Sequence, residues 1–292
     1  MKYRIVHKTA YRYSEPASLS QNELILHPRQ TGHQQVLEAQ LSVAPEPQYL
    51  HRRTDYFGNI AQVFMVQQPH DALVMIAEST VVTMPPAVPA PETTPPWEAV
   101  ARGLSFPGAP ADLDACQFVY ESPVIGTSVG AGDYVRPSFA PGTPILTGAL
   151  DLIGRIYKEF TYDKSATTVD TPVDQVLADR SGVCQDFAHT AIACLRTLGL
   201  AARYVSGYLN TLPPPGKPKL VGADESHAWI SVYVPQAGWV DLDPTNNLIP
   251  EETHITLAWG RDYGDVTPVK GVVMGGGRHT LSVTVDVSKQ EV

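Results

Sequence analysis

Three residues of this sequence have the types and positions that covalent acyl transfer requires. Cys184 follows the turn residue Gly182 and opens a run that predicts a helix, so its thiol is expected at a helix N-terminus. Unpaired N–H groups and the positive end of the helix dipole stabilise a thiolate there, and the thiolate is the nucleophilic form of cysteine. His227 and Asp243 lie downstream at the ends of predicted strands. A cysteine, a histidine and an aspartate form the set that this chemistry uses.

The other cysteines and histidines are weaker candidates. Cys194 falls on the apolar face of the predicted helix and Cys116 has no partner nearby in sequence, so both are expected to pack in the interior. His189 is the alternative base, but five residues along a helix turn its side chain by about 500° from Cys184. We expect His189 to be structural. Cys184, His189 and His227 lack the paired spacing of a metal or redox site, so no metal and no cofactor are expected.

Two aspartates are candidates for the partner of His227. The predicted strands on either side of residues 235–238 should pair antiparallel. If Val234 pairs with Trp239, Asp243 falls three positions short of the point opposite His227, and a bulge or a strong twist must close the gap. Asp241 shares a strand face with Asp243 and remains an alternative. The carboxylate that reaches the ring would fix its tautomer and aim its other nitrogen at the thiol.

Composition divides the chain into three segments, residues 1–84, 85–143 and 144–292. The first is expected to be an all-β sandwich domain, because apolar and β-branched residues alternate in it and turn formers separate the runs. The second opens with a proline-dense stretch over residues 85–96. We expect an extended linker there, followed by a short helix at 97–104 and an irregular connecting segment.

The third segment contains the candidate catalytic residues and predicts an α+β core, with helices packed on an antiparallel sheet. Apolar spacing and caps predict helices at 146–160, from 171 and at 183–198. Strands are expected at 201–209, 228–234, 239–242 and 281–287, with a glycine turn at 275–277.

Charge and composition argue against several classes of function. The 292 residues carry a net charge of −9, which disfavours binding to nucleic acids or to anionic membranes. The N-terminal sequence lacks the apolar stretch of a signal peptide, and no apolar run approaches the roughly 20 residues of a membrane span. Three cysteines without paired spacing favour a reducing compartment, so we expect a cytoplasmic protein.

Three blocks of sequence resemble, in order, the signature blocks of the transglutaminase-like superfamily and of its bacterial branch, which is described as cysteine proteases. They are Gly182-Val183-Cys184-Gln185-Asp186-Phe187-Ala188, Ser226-His227-Ala228-Trp229 and Gly238-Trp239-Val240-Asp241-Leu242-Asp243-Pro244-Thr245. The N-terminal β region and residues 260–263 also resemble this branch. The resemblance implies a papain-like core with Cys184 as nucleophile, His227 as base and Asp243 as acid. Calcium is not expected, because no loop has the ligand spacing for it.

The resemblance and the residues together predict a cysteine-dependent enzyme that attacks an amide of a peptide or protein substrate and forms a thioester. Hydrolysis is favoured, because water is the default acceptor unless a dry amine channel excludes it. An amine acceptor would make the protein a transglutaminase. A non-catalytic binding module that keeps the triad is the alternative from another class.

Further residues are expected around the cleft. The backbone N–H of Cys184 is the expected oxyanion donor, and Gln185 is a second candidate. The segment 261–263 is expected to fold back near Cys184. The other candidate cleft residues are Trp229, Asp241, Arg261, Asp262 and Tyr263.

Overall fold

The structure, a computed structural model, describes residues 1–210 and 226–290. Its strands are β1 (Lys2–Leu24), β2 (Gln34–Ala44), β3 (Tyr49–Thr54), β4 (Ile60–Val66), β5 (His70–Thr83), β6 (Thr161–Tyr162), β7 (Ser181–Gly182), β8 (Ala202–Leu209), β9 (Ser226–Val234), β10 (Gly238–Leu242), β11 (His254–Gly260), β12 (Val269–Gly275) and β13 (His279–Gln290). Its α-helices are α1 (Trp97–Ser105), α2 (Pro110–Cys116), α3 (Val129–Val135), α4 (Ile145–Glu159), α5 (Val173–Asp179) and α6 (Cys184–Thr197). Short 3₁₀ helices lie at Pro91–Thr93, Arg136–Ser138 and Tyr263–Asp265.

The N-terminal β domain is built on one curled antiparallel sheet of seven strands, with β1 at its centre. The order is β2-β5-β1-β4-β3, and β12 and β13 both pair with β1. The first half of β1 lies between β5 and β13, and residues 20–24 lie between β4 and β12. The pairing with β5 is irregular between Arg12 and Ala17, which separates the two halves. Alternate side chains such as Tyr3 and Ile5 are buried, as the sequence pattern predicts.

The C-terminal strands join this first sheet. Lys2 pairs with Gln290 and Tyr13 with His279, although the sequence grouped these strands with residues 144–292. Pairing between the two ends of a chain leaves no local signal in the sequence, because each strand shows only its own alternation. Positive φ angles at residues 275–277 make the predicted glycine turn between β12 and β13. The boundaries of the three segments stay a prediction.

The segment 97–143 contains the short helix expected at 97–104, which is α1, and two helices that the sequence did not predict, α2 and α3. The last of these lies in a glycine-rich stretch, and its N-cap is Ser128, whose hydroxyl accepts from the backbone N–H of Ala131 at 2.9 Å. Ala131, Tyr134 and Val135 are buried. A cap and three buried side chains at helical spacing therefore outweigh the poor helix propensity of glycine here.

The second sheet forms the base of the C-terminal α+β core. It has the antiparallel order β10-β9-β8-β11, and α6 packs on β8 and β9. Residues 186–195 of α6 are all buried, as expected of a helix enclosed on every side. An N-terminal β domain followed by an α+β core confirms the predicted fold class. Within the described ranges, no helix is long and apolar enough to cross a membrane.

Candidate active site

Cys184 is the first residue of α6, at the helix N-terminus that the sequence predicts. The carboxylate of Asp186, two residues further on, accepts the backbone N–H of Val183 at 2.7 Å and the hydroxyl of Thr167 at 2.6 Å. An added Cβ at Gly182 would lie 2.6 Å from that carboxylate, so only glycine fits before the helix. These contacts fix the entry of the chain into α6. The thiol of Cys184 is free and half-buried.

The imidazole of His227 joins Cys184 to Asp243. His227 is the second residue of β9, and its side chain is 9% exposed. Its Nε2 lies 2.7 Å from Oδ2 of Asp243, and the ring is also hydrogen-bonded to Cys184. Burial alone would lower the pKa of His227, but the hydrogen bonds and negative charges of these two partners raise it to about 10. At neutral pH the ring is therefore a cation that donates to both neighbours.

Asp243 is fully buried and accepts five hydrogen bonds. Its Oδ1 accepts the backbone N–H groups of Thr245 at 2.9 Å and Asn246 at 3.2 Å. Its Oδ2 accepts from His227, from Nδ2 of Asn246 at 2.7 Å and from Nε2 of His254 at 3.1 Å. Burial would raise the pKa of Asp243, but these donors hold it well below its usual range. The carboxylate is thus a fixed negative charge behind the imidazole.

The hairpin between β9 and β10 has a different register from the predicted one. Gly238 pairs with Val234, so the expected pairing of Val234 with Trp239 is wrong by one residue. The loop is one residue shorter than predicted, because Gln236 adopts a left-handed φ of 69° and Gly238, with φ of 84°, already begins the next strand. The register shift alone does not bring a carboxylate to the histidine.

A tight loop after β10 brings Asp243 to His227. The backbone groups of Asp243 and Leu248 bond to each other at 2.9 and 3.4 Å, which turns the chain back immediately beyond the strand. Asp241 has a different partner, because its carboxylate accepts from Nε1 of the buried Trp229 at 3.0 Å. The structure therefore pairs Asp243 with the imidazole and Asp241 with the indole.

Asn246 and His254 are site residues that the sequence reasoning missed. Asn246 follows Asp243 by three positions after a Pro-Thr pair, a pattern typical of a side-chain-capped turn, so a turn signal could have found it. His254 begins β11, which neighbours β8 and not β9 in the sheet, so no local pattern places it beside His227. Its ring is buried and meets Trp229 edge-on, with centroids 5.3 Å apart.

Gly207 on β8 leaves the space in which these rings meet. A Cβ there would lie 2.2 Å from the carbonyl oxygen of Ile255 and 2.4 Å from the ring of Trp229. Gly207 also pairs with His227 across the sheet. A side chain at this position would clash with the backbone of β11, which carries His254, and with the ring of Trp229 on β9.

The segment 261–263 was predicted to approach Cys184, and one of its three side chains lines the cavity in front of the thiol. That residue is Tyr263. Arg261 pairs with Asp265 instead, through two contacts of 2.9 Å. Asp262 is fully buried and bonds to backbone N–H groups. Arg261 and Asp262 therefore hold the loop, while Tyr263 faces the site.

His189 and Gln185, the two other candidates near the thiol, have their side chains engaged elsewhere. His189 is buried, and its Nε2 accepts the backbone N–H of Tyr263 at 3.2 Å. Burial lowers its pKa to about 4, so it is neutral at physiological pH. The amide of Gln185 donates to the carbonyl of Val169 at 3.1 Å. Of these described candidates, the backbone N–H groups at the start of α6 remain available as oxyanion donors.

The described residues include one group with the geometry to hold a cation, namely His227, Asp243 and His254, whose ligand atoms lie within 4.8 Å of one another. This set differs from the cysteine and histidines considered in the sequence. Because the mutual hydrogen bonds already satisfy the carboxylate and both imidazoles, the cluster needs no cation to be stable.

The thiol of Cys184 and the imidazole of His227 face a cavity of about 330 Å³ that lies between the two sheets. A cavity of this size is at the lower end of the range for ligand sites, about 300–1,000 Å³. It has room for a short stretch of a chain. The arrangement can therefore present a nucleophile and a proton donor to one bound carbonyl group.

Two regions of the chain match known protein families. Residues 3–82 match the bacterial transglutaminase-like N-terminal region, and residues 133–244 match the transglutaminase-like superfamily. The second region includes Cys184, His227 and Asp243.

Two relatives and one solved structure are also similar to this chain. An uncharacterized protein of Mycobacterium tuberculosis is 40% identical over 98% of this chain and 92% of its own length. A protein-glutamine gamma-glutamyltransferase of Pseudomonas aeruginosa is 35% identical over 34% of this chain and 16% of its own length. The crystal structure of a candidate cysteine protease from Cytophaga hutchinsonii matches with a TM-score of 0.71 and 20% identity, covering 100% of this chain and 92% of that one, which shows a shared fold.

Proposed function

The chain belongs to the transglutaminase-like superfamily, and we propose that it is a cysteine-dependent acyl-transfer enzyme that acts on an amide of a peptide or protein. The observation that carries the proposal is the hydrogen-bonded series Cys184, His227 and Asp243, with the thiol at a helix N-terminus. This is the order of nucleophile, proton carrier and orienting carboxylate that covalent acyl transfer needs.

The first half of the reaction forms a thioester. The sulfur of Cys184 attacks the carbonyl carbon, a C–S bond forms, and the carbonyl electron pair moves onto oxygen. Backbone N–H groups at the start of α6 stabilise that oxyanion. The imidazolium of His227 gives its proton to the leaving nitrogen and the C–N bond breaks. Asp243 keeps the ring oriented and stabilises its positive charge.

The second half resolves the thioester. Water attacks the same carbonyl carbon while His227 takes a proton from the water. The C–S bond then breaks, the carboxylic acid product is released, and Cys184 and His227 return to their starting states. Hydrolysis is favoured because Cys184 is only half-buried, so water reaches the thioester. An amine in place of water gives transamidation. The 35% identity to a protein-glutamine gamma-glutamyltransferase supports transamidation as the second candidate.

A peptide library incubated with an added primary amine tests this function. Mass spectrometry separates hydrolysed products, which gain water, from amine-coupled products. We expect turnover by the wild-type protein, predominantly hydrolysis, and none by Cys184→Ala. Cys116→Ser is the matched control, because Cys116 is also a partly buried free cysteine and should be dispensable. Turnover that survives in Cys184→Ala would contradict the proposal, and peptide binding without any turnover would favour a non-catalytic binding module.

We also propose a cytoplasmic location. The three cysteines are free, which suits a reducing compartment. Cell fractionation tests this proposal, and recovery of the protein with the periplasmic fraction would contradict it.

A further inference from the structure

The cavity in front of Cys184 has one wall that the catalytic core does not provide. This wall comes from the N-terminal β domain. Its residues on β1 are His7, Thr9 and Tyr11, and its residues on the C-terminal strands are Val269, Leu281 and Val283. The thiol therefore faces a surface built from both ends of the chain.

Strand geometry makes this wall one continuous face. Alternate residues of β1 point to the same side of the sheet. Tyr11 pairs with Leu281, and Thr9 pairs with Val283, so the two strands present their side chains side by side. Leu281 is 54% exposed and Val283 is 49% exposed. Two large apolar side chains thus lie open to solvent beside the nucleophile, and an exposed apolar surface that continues into a cleft is typical of a binding site.

Apart from the hydrogen-bonded pair of Cys184 and His227, the lining of the cavity carries no charge and is largely apolar. Among the described residues that line it, none is Asp, Glu, Lys or Arg. His7 is buried and bonds to the hydroxyls of Tyr208 at 2.8 Å and Thr9 at 3.2 Å. Burial lowers its pKa to about 4, so it carries no charge at pH 7. A charged side chain against the wall formed by β1 and the C-terminal strands would lose water without gaining a charged partner among the described residues of that wall, whereas an apolar one would remove Leu281 and Val283 from water.

We propose that Tyr11, Val269, Leu281 and Val283 form a subsite that binds an apolar side chain of the peptide substrate, next to the amide that Cys184 attacks. The N-terminal β domain then selects the substrate, and the core performs the chemistry. The substrate class is a peptide with a bulky aliphatic or aromatic residue beside the reacting amide. This inference rests on the proposed function for the identity of its ligand.

The test measures binding separately from turnover. The binding of a library of short blocked peptides, varied at each position, is measured with two proteins. One carries Cys184→Ala alone, and the other carries Cys184→Ala together with both Leu281→Thr and Val283→Thr. Threonine is β-branched, which suits a strand; it keeps the shape of Val283, shortens the side chain at position 281, and places a hydroxyl in the apolar wall at both positions. Val272→Thr is the matched control, because Val272 lies on β12, the strand that precedes β13 in the chain, is 67% exposed and does not line the cavity.

We expect apolar residues to be enriched at one position among the bound peptides, with affinity falling about tenfold or more in the Leu281/Val283 variant. The Val272→Thr control should bind as tightly as the parent. In proteins that retain Cys184, alkylation of the thiol by iodoacetamide should be unchanged by Val272→Thr, and every variant should unfold cooperatively on heating, which separates a loss of binding from a loss of the fold. No apolar enrichment, or enrichment that survives in the Leu281/Val283 variant, would overturn the subsite. Apolar binding without turnover by the wild-type protein would uphold the subsite and refute the proposed function, so the two failures are distinct.

Discussion

Replacing His254 tests whether the carboxylate of Asp243 is held by its third side-chain donor. His254→Leu removes the Nε2 donor that lies 3.1 Å from Oδ2, and His254→Gln keeps an N–H donor in its place. A hydrogen bond to a charged group contributes about 1.5–3 kcal/mol. The contact from His254, at 3.1 Å, is longer than the contacts of 2.7 Å that His227 and Asn246 make with the same oxygen. We therefore take the lower value, about 1.5 kcal/mol, for the hydrogen bond from His254. If all of it acts on the transition state, the rate falls about tenfold.

Two quantities are measured for each variant. The first is kcat/KM for an activated ester, such as p-nitrophenyl acetate. The second is the free energy of unfolding in urea at about pH 7 and about pH 2. The depressed pKa of Asp243 contributes stability above its unfolded value of about 3.9, and this is lost as the pH falls through the folded value. His254→Leu should therefore be less active and less stable than His254→Gln at pH 7, and the gap in unfolding free energy should narrow in acid. Equal activity of the two variants would refute the positioning role.

The remaining predictions concern the carboxylate of Asp243, which bonds to the imidazole of His227, and the close packing at Gly207. Asp243 helps to raise the pKa of His227 to about 10, so the imidazolium persists up to that pH and is lost above it. The alkaline limb of the pH profile of kcat/KM should move to lower pH in Asp243→Asn and stay in place in Asp241→Asn. An alkaline limb at the same pH in both variants would contradict this prediction. Gly207→Ala should destabilise the protein by about 1–3 kcal/mol in thermal unfolding, because its Cβ would lie 2.2 Å from a backbone carbonyl. Gly103→Ala on α1, with nothing within 4 Å, should instead be neutral or stabilising, and a similar loss in both variants would refute the steric reason.

Local sequence patterns predicted the elements whose structure depends on residues nearby in the chain. The start of α6 follows from Gly182 and the periodic run after Cys184, and the alternation of the first segment predicts its strands. The α3 helix was missed because its glycine content hides a cap at Ser128 and three buried side chains. Burial there is a property of the packed molecule and not of the segment.

The site depends on features that local patterns do not encode. The choice between Asp241 and Asp243 turns on a left-handed Gln236 and on a loop closed at Leu248, so strand counting left it open and the family resemblance chose Asp243. His254 reaches Asp243 from a strand that is not a neighbour of β9. The wall of the cavity forms because β1 pairs with β13. The sequence of either strand alone does not indicate this pairing.

The claim that Cys184 is an activated nucleophile is tested most directly by the rate at which iodoacetamide alkylates each cysteine, followed by mass spectrometry over a range of pH. We expect Cys184 to react fastest near neutral pH and to fall to the rate of Cys116 in His227→Ala. Cys194 should stay unmodified in the folded protein, because it is fully buried and burial raises the pKa of its thiol to about 12. Slow reaction of Cys184 at the rate of Cys116 in the wild-type protein, or a rate that His227→Ala leaves unchanged, would contradict the claim.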